Sequence, residues 1–292
     1  MKRGYAIKRY EELTITDDFM FGKVMEDKEL CRDVLECLLG QPVGELEEVI
    51  TERAFRYTVD GKPIRLDVYT KDQDHLYDAE MQNLNHRSLD DLCLPKRSRF
   101  YQSMMDTDYL QKGWSYRELP EGRVLFLCTF DPFGLGNAKY TFENRCNEEP
   151  ELRLEDGTEK SFYNCTCQTQ DMPVNLRALY NYITTGQIQS GLTRKIEDAV
   201  CRAKRNEKWR SEYMKELLHE EDIKAEARAE GKAEGIEQGI EQGKAVEREN
   251  GIITLVNSVK ELGVDYKNVE LLIKDKYQLS ESEAKRVMEL YW

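Results

Sequence analysis

Histidine is nearly missing from this chain, with three in 292 residues. A His-rich metal site is therefore excluded, and no Ser–His or Cys–His pair offers itself for nucleophilic catalysis. The eight cysteines form no compact framework. Cys165 and Cys167 are the one close pair, and their spacing is not that of a CxxC…CxxC zinc site. Free buried thiols in a reducing compartment fit them better. No apolar run approaches transmembrane length, and the opening MKRGYAIKRYEELT lacks the apolar core of a signal peptide. These absences lead to the expectation of a soluble cytoplasmic protein. Positive charge is also short: 43 Lys and Arg stand against 56 Asp and Glu, giving net charge −13 and a pI near 5.0. Such a field argues against a chain that coats nucleic acid as a whole, and leaves a local basic groove open.

What is present centres on residues 64–82, IRLDVYTKDQDHLYDAEMQ. Ile64, Leu66 and Val68 alternate with Arg65, Asp67 and Tyr69, the period-two pattern of a strand with one buried face. Lys71 to Asp74 has turn chemistry, and residues 75–82 read as the returning strand. Glu80 and Gln82 then share one face with Met81 on the other. Paired as a hairpin, the two strands bring Asp67 near Glu80. Two readings of this pattern stand: a solvated sheet face, or an oxygen-rich site for Mg²⁺ or Mn²⁺. The apolar neighbours Ala79 and Met81 favour the second, because a carboxylate among apolar groups is costly unless something offsets its charge.

Around this hairpin, residues 16–39 read as a helix with Thr16 as N-cap and Gly40 and Pro42 as its stop. Asp18 sits in its first turn, either as a helix-start acid or as a group facing the same site as Phe21. Residues 47–58 read as a strand, followed by a turn at 60–63. Residues 88–112 read as a helix interrupted near Pro95. Arg97 and Tyr101 share a face of that helix, and Lys96, Arg97 and Arg99 give it a cationic start. Residues 124–130, VLFLCTF, suit a strand buried on both faces. Two further strands are expected at 140–146 and 161–167, and a helix at 173–185.

The composition changes from Thr193. Between Arg194 and Arg210 seven basic residues face three acidic ones, a pattern that suits a solvated helix or a phosphate-tracking surface. Residues 226–244 repeat Gly every four positions at Gly231, Gly235, Gly239 and Gly243. Each costs a helix about 1 kcal/mol against Ala, so the segment reads as a linker or an assembly helix. Residues 252–292 regain core patterns, with a capping box at Ser280 and Glu283. The domain expectation is 1–190, then a charged and Gly-rich connector at 191–250, then a helical module at 251–292.

The order helix, three strands, helix, strand, with Asp on the second strand and Glu-x-Gln on the third, resembles the PD-(D/E)XK nuclease superfamily. Within it the chain looks like the recombination-promoting nuclease/putative transposase (Rpn) family. The resemblance rests on TDDFMF, RLDVYTKDQDHLYDAEMQN, LPKRSRFYQSMMD, CTFDPFG and YTFENRC. It implies an α/β restriction-endonuclease-like core with added strands and an all-helical C-terminal extension. It further implies a Mg²⁺-dependent (Mn²⁺ also suiting) DNA endonuclease associated with recombination or transposase-like elements. By the same resemblance Asp67 and Glu80 are the metal carboxylates, with the main-chain carbonyl of Met81 beside them. Gln82 stands where the superfamily more often has Lys, and Asp18 completes the acidic set. Arg97, Tyr101 and Arg99 are the substrate-binding candidates, with DNA as substrate. A homo-oligomer joined through the C-terminal helices is the expected assembly. The competing reading is a catalytically degenerate nuclease fold that serves as a DNA- or protein-binding oligomeric scaffold.

Overall fold

A computed structural model describes residues 8–55, 64–84, 89–169 and 171–292. The chain divides into two compact units, Met1–Met214 and Lys215–Trp292. The first is built on a six-stranded mixed sheet of order β1-β2-β3-β4-β6-β5. Its strands are β1 (Val49–Phe55), β2 (Ile64–Lys71), β3 (His75–Gln82), β4 (Glu121–Cys128), β5 (Lys139–Phe142) and β6 (Thr158–Asn164). β1, β2 and β3 are antiparallel neighbours, β3–β4 and β4–β6 are parallel, and β5 closes the edge antiparallel to β6. The α/β core with a helical C-terminal extension is the architecture expected.

The turn between β2 and β3 is organised by Asp72. Its carboxylate accepts hydrogen bonds from the backbone N–H groups of Asp74, His75 and Gly44 and from the Tyr77 hydroxyl. That fixes the hairpin register, in which Val68 faces Ala79 and Tyr69 faces Asp78. β4 is buried on both faces, as its unbroken apolar run requires. Val124 and Phe126 join Leu76, Tyr101, Met105 and Phe162 in the core on one face of the sheet. Asp131 shapes the loop after β4, accepting from the N–H groups of Phe133, Gly134 and Gly136 and from the Tyr140 hydroxyl.

Two helical stretches are each split, the second at the interruption expected near Pro95. The first becomes α1 (Asp18–Met25) and α2 (Lys28–Leu39), because the Asp27 carboxylate caps α2 by accepting from the Leu30 N–H at 3.2 Å. Asp17 rather than Thr16 stands at the N-cap position of α1. The second becomes α3 (Leu89–Leu92) and α4 (Leu94–Tyr109), divided at Cys93, which takes a left-handed conformation with φ 49° just before Pro95. The turn expected at 60–63 lies outside the described residues.

The domain boundary expected at 190 falls inside the first unit. After α5 (Val174–Thr185), helix α6 (Gly191–Lys204) turns Ile196, Ala199, Val200 and Ala203 into the core. The Tyr10 hydroxyl donates to the Ala203 carbonyl at 2.7 Å. The basic residues of α6 are thus the outer face of a core helix, and its period-3.6 apolar stripe is what places it there. Helix α7 (Glu207–Glu261) begins in this unit, where the Tyr213 hydroxyl donates to the Lys8 carbonyl.

In the second unit the Gly-repeat segment is helical, as part of α7. Ile252 and Val256 of α7 pack with Val269 and Ile273 of α8 (Tyr266–Tyr277) and with Ala284 and Met288 of α9 (Glu281–Tyr291). The Ser280–Glu283 capping box opens α9. Among the described residues no helix is long and apolar enough to cross a membrane.

Candidate active site

The β2–β3 ladder stops at Val68 and Ala79, and side chains take over where it ends. The Asp67 N–H donates to Glu80 Oε1 at 2.8 Å, and the Met81 N–H donates to Asp67 Oδ2 at 3.0 Å. Each carboxylate therefore satisfies a backbone donor on the opposite strand, one that a regular ladder would have paired with a carbonyl. This exchange turns both acids toward the gap between the strands and fixes their rotamers.

The gap opens into a cleft of about 200 Å³ lined by Asp18, Arg65, Asp67, Glu80, Met81, Gln82, Asn83, Leu92 and Arg97. Asp18 enters from the first turn of α1. Asn83 ties that turn in place: its amide nitrogen donates to the Thr16 carbonyl, and its oxygen accepts from the Thr129 hydroxyl at 2.7 Å. From the other side α4 brings Arg97, whose guanidinium donates to Gln82 Oε1 at 2.7 Å and lies 3.3 Å from Glu80 Oε2. Behind it the buried Tyr101 hydroxyl accepts from Arg97 Nε and Nη2 at 3.2 and 2.8 Å. The Gln82 amide nitrogen donates to the Met81 carbonyl at 2.9 Å.

Of the residues singled out from the sequence, the fold brings Asp18, Asp67, Glu80, Met81, Gln82 and Arg97 to one cleft, with Tyr101 one contact behind. Arg99 is not among them; it is exposed and does not line the cleft. Two residues along a helix is a rotation of about 200°, so the face that carries Arg97 cannot also carry Arg99. Asp78, Asn83 and Arg65 were missed by the sequence reading. Asp78 shares the Glu80 and Gln82 face of β3 by the two-residue period, a signal available in the sequence.

Acidic groups are concentrated here, with Glu80 and Asp78 buried, Asp67 half-buried and Asp18 exposed. Burial, then the charges of Glu80 and Asp18, holds the Asp67 carboxyl well above the usual carboxylate range. Burial, then Asp78, does the same to Glu80, and burial, then Asp67, to Asp78. The donor set fits a hard divalent cation: two carboxylates and a main-chain carbonyl, all oxygen, with strong electrostatic demand for positive charge. Among the described residues no three His, Cys, Asp or Glu side chains form a ready-made cage. A Mg²⁺ site needs none, since that ion is held through one or two carboxylates with substrate phosphate and water completing its shell.

Residues 18–149 match the family model of the PD-(D/E)XK nuclease family transposases. The matched stretch runs from the Asp18 turn through β5 and takes in every cleft residue named above. The match is to the superfamily that the sequence resembles, and it covers the part of the chain that builds the cleft. No curated protein and no solved structure matches the chain.

Proposed function

We propose that the cleft is the catalytic centre of a divalent-cation-dependent DNA endonuclease. The observation that carries the reading is the exchange at the end of the β2–β3 ladder, which locks the Asp67 and Glu80 carboxylates against each other at the floor of a polar cleft. The PD-(D/E)XK nuclease match over 18–149 supports the reaction class.

Asp67 and Glu80 would hold the cation, with the Met81 carbonyl alongside and Asp18 adding negative charge from α1. When bound, the ion supplies Lewis-acid polarisation of the phosphate and a more acidic water. Gln82, anchored between Met81 and Arg97, orients water in the cleft rather than acting as a base, because an amide does not titrate. Arg97 offers a planar fork of donors suited to a phosphate oxygen pair, and Tyr101 positions it. Self-association through the C-terminal helices belongs to the same reading. Ile236, Ile240 and Val246 of α7 are more than half exposed, and a second copy of that helix would cover them.

The test is conversion of supercoiled plasmid to nicked or linear DNA with Mg²⁺, Mn²⁺, Ca²⁺ or chelator. Cleavage is expected with Mg²⁺ or Mn²⁺, is expected to stop with chelator, and is expected to fall at least about a hundredfold in Asp67→Ala. Metal-independent cleavage, or full activity in the variant, would remove the cleft from the reaction. DNA retention without cleavage would favour the degenerate binding fold.

A further inference from the structure

Arg97 is held by three oxygens, one of which a divalent cation would also need. Its Nη2 lies 3.3 Å from Glu80 Oε2, while the other two partners are neutral: Gln82 Oε1 and the Tyr101 hydroxyl. The guanidinium carbon sits 5.2 Å from the Tyr101 ring centroid and 5.6 Å from that of Phe126. Aromatic faces stabilise a cation there without fixing its direction along the cleft. Glu80 is almost wholly buried, and a buried carboxylate requires a compensating charge. Arg97 is the cation the structure places against it.

We propose that Arg97 and a divalent cation are competing partners of Glu80, so that metal binds by exchange and the displaced guanidinium turns to the substrate phosphate. This inference rests on the metal reading of the cleft. Two cations cannot share Glu80 Oε2 at contact distance without strong mutual repulsion at the low effective dielectric of a buried site. The neutral tether at Tyr101 lets the guanidinium leave Glu80 and stay in the cleft, while Gln82 Oε1 helps to hold it in its resting place on Glu80. The same geometry accounts for glutamine at position 82. Its amide oxygen accepts from Nη1, whereas an ammonium there would face the guanidinium as a like charge. Arg97 thus carries, from α4, the positive charge that β3 does not supply.

The experiment is calorimetric titration of Mn²⁺ into chelator-stripped full-length protein, comparing wild type with Arg97→Gln, Gln82→Met and Asp67→Ala. Exchange predicts that Arg97→Gln binds Mn²⁺ about tenfold tighter or more, as expected from removing a unit charge a few ångströms from the ion, while losing plasmid cleavage. Gln82→Met keeps the charge and loses one tether, and is expected to bind tighter by a smaller factor. If Arg97 only orients Glu80 for the ion, Arg97→Gln would instead bind about 10–100-fold more weakly. That result, or an unchanged affinity, overturns the proposal. Asp67→Ala separates the two layers of the argument. Wild-type affinity in that variant would place the ion outside the cleft and sink both readings. Lost affinity in Asp67→Ala together with weakened binding in Arg97→Gln sinks the exchange alone. Circular dichroism checks that Arg97→Gln is folded; if it is not, Gln82→Met decides, with unchanged or weaker Mn²⁺ binding counting against exchange.

Discussion

Asp78 is wholly buried, and neither of its carboxyl oxygens has a hydrogen-bond partner among the described residues. Burial first, and the charge of Asp67 next, push its carboxyl up, and its own charge does the same to Glu80. All three acids bind protons more tightly in the folded chain than in the unfolded one, because burial raises each of them. The folded state therefore holds more protons above the ordinary carboxylate range, and stability without added metal falls as pH rises from about 4 toward 8. Asp78→Asn removes one of these acids. It is expected to flatten that slope, and so to gain on wild type at pH 8 relative to pH 5, because an amide carries no titrating proton. Urea denaturation at pH 5 and pH 8 measures this. At this scale the sequence was readable wherever the two-residue period was applied, as with Asp67, Glu80 and Gln82. Asp78 is legible only along the whole face of β3, not from the apolar neighbours Ala79 and Met81 that mark Glu80. Arg99 was grouped with Arg97 as a cationic run, although a helix separates them.

Helix α4 meets the sheet through a close side-chain approach to backbone as well as through apolar contact. Gly122, on β4, is one such point: a Cβ there would stand 2.0 Å from the side-chain nitrogen of Gln102 on α4. Gln102 is buried and donates to Asp106 Oδ1 at 2.9 Å, so it has little freedom to move aside. Gly122→Ala is expected to cost about 1–3 kcal/mol in thermal or chemical unfolding. Because α4 also carries Arg97, the substitution is expected to lower plasmid cleavage as well. A stability equal to wild type would show that α4 is free to shift. The chain order of helix, three strands, helix and strand, the β2–β3 hairpin and the doubly buried β4 followed from hydrophobic patterning and turn chemistry; the order of strands within the sheet did not. The break near Pro95 was legible from the proline itself, which stands in the first turn of α4; the break at Asp27 was not, because a capping carboxylate is a local choice inside an otherwise continuous helical period.

At the scale of the whole chain, the two units carry separate cores. Ile273 is fully buried in the second. Ile273→Ala is expected to cost that unit about 2–5 kcal/mol, while hydrogen exchange in β3 and β4 stays as in wild type. Loss of protection in both units would mean that they unfold as one. Light scattering on the full chain, against a chain ending at Met214, is expected to show that self-association needs the second unit. The boundary at 214 was hidden in the sequence because the basic face of α6 concealed an apolar stripe that belongs to the first core.

If the parted ends of β2 and β3 form a cation site, a divalent ion binds between their carboxylates. An anomalous difference map from a crystal grown with Mn²⁺ tests it most directly. A peak is expected at coordination distance, roughly 2.0–2.3 Å, from carboxylate oxygens of both Asp67 and Glu80. Mn²⁺ bound elsewhere, or no peak between these carboxylates in crystals of active enzyme, would contradict it.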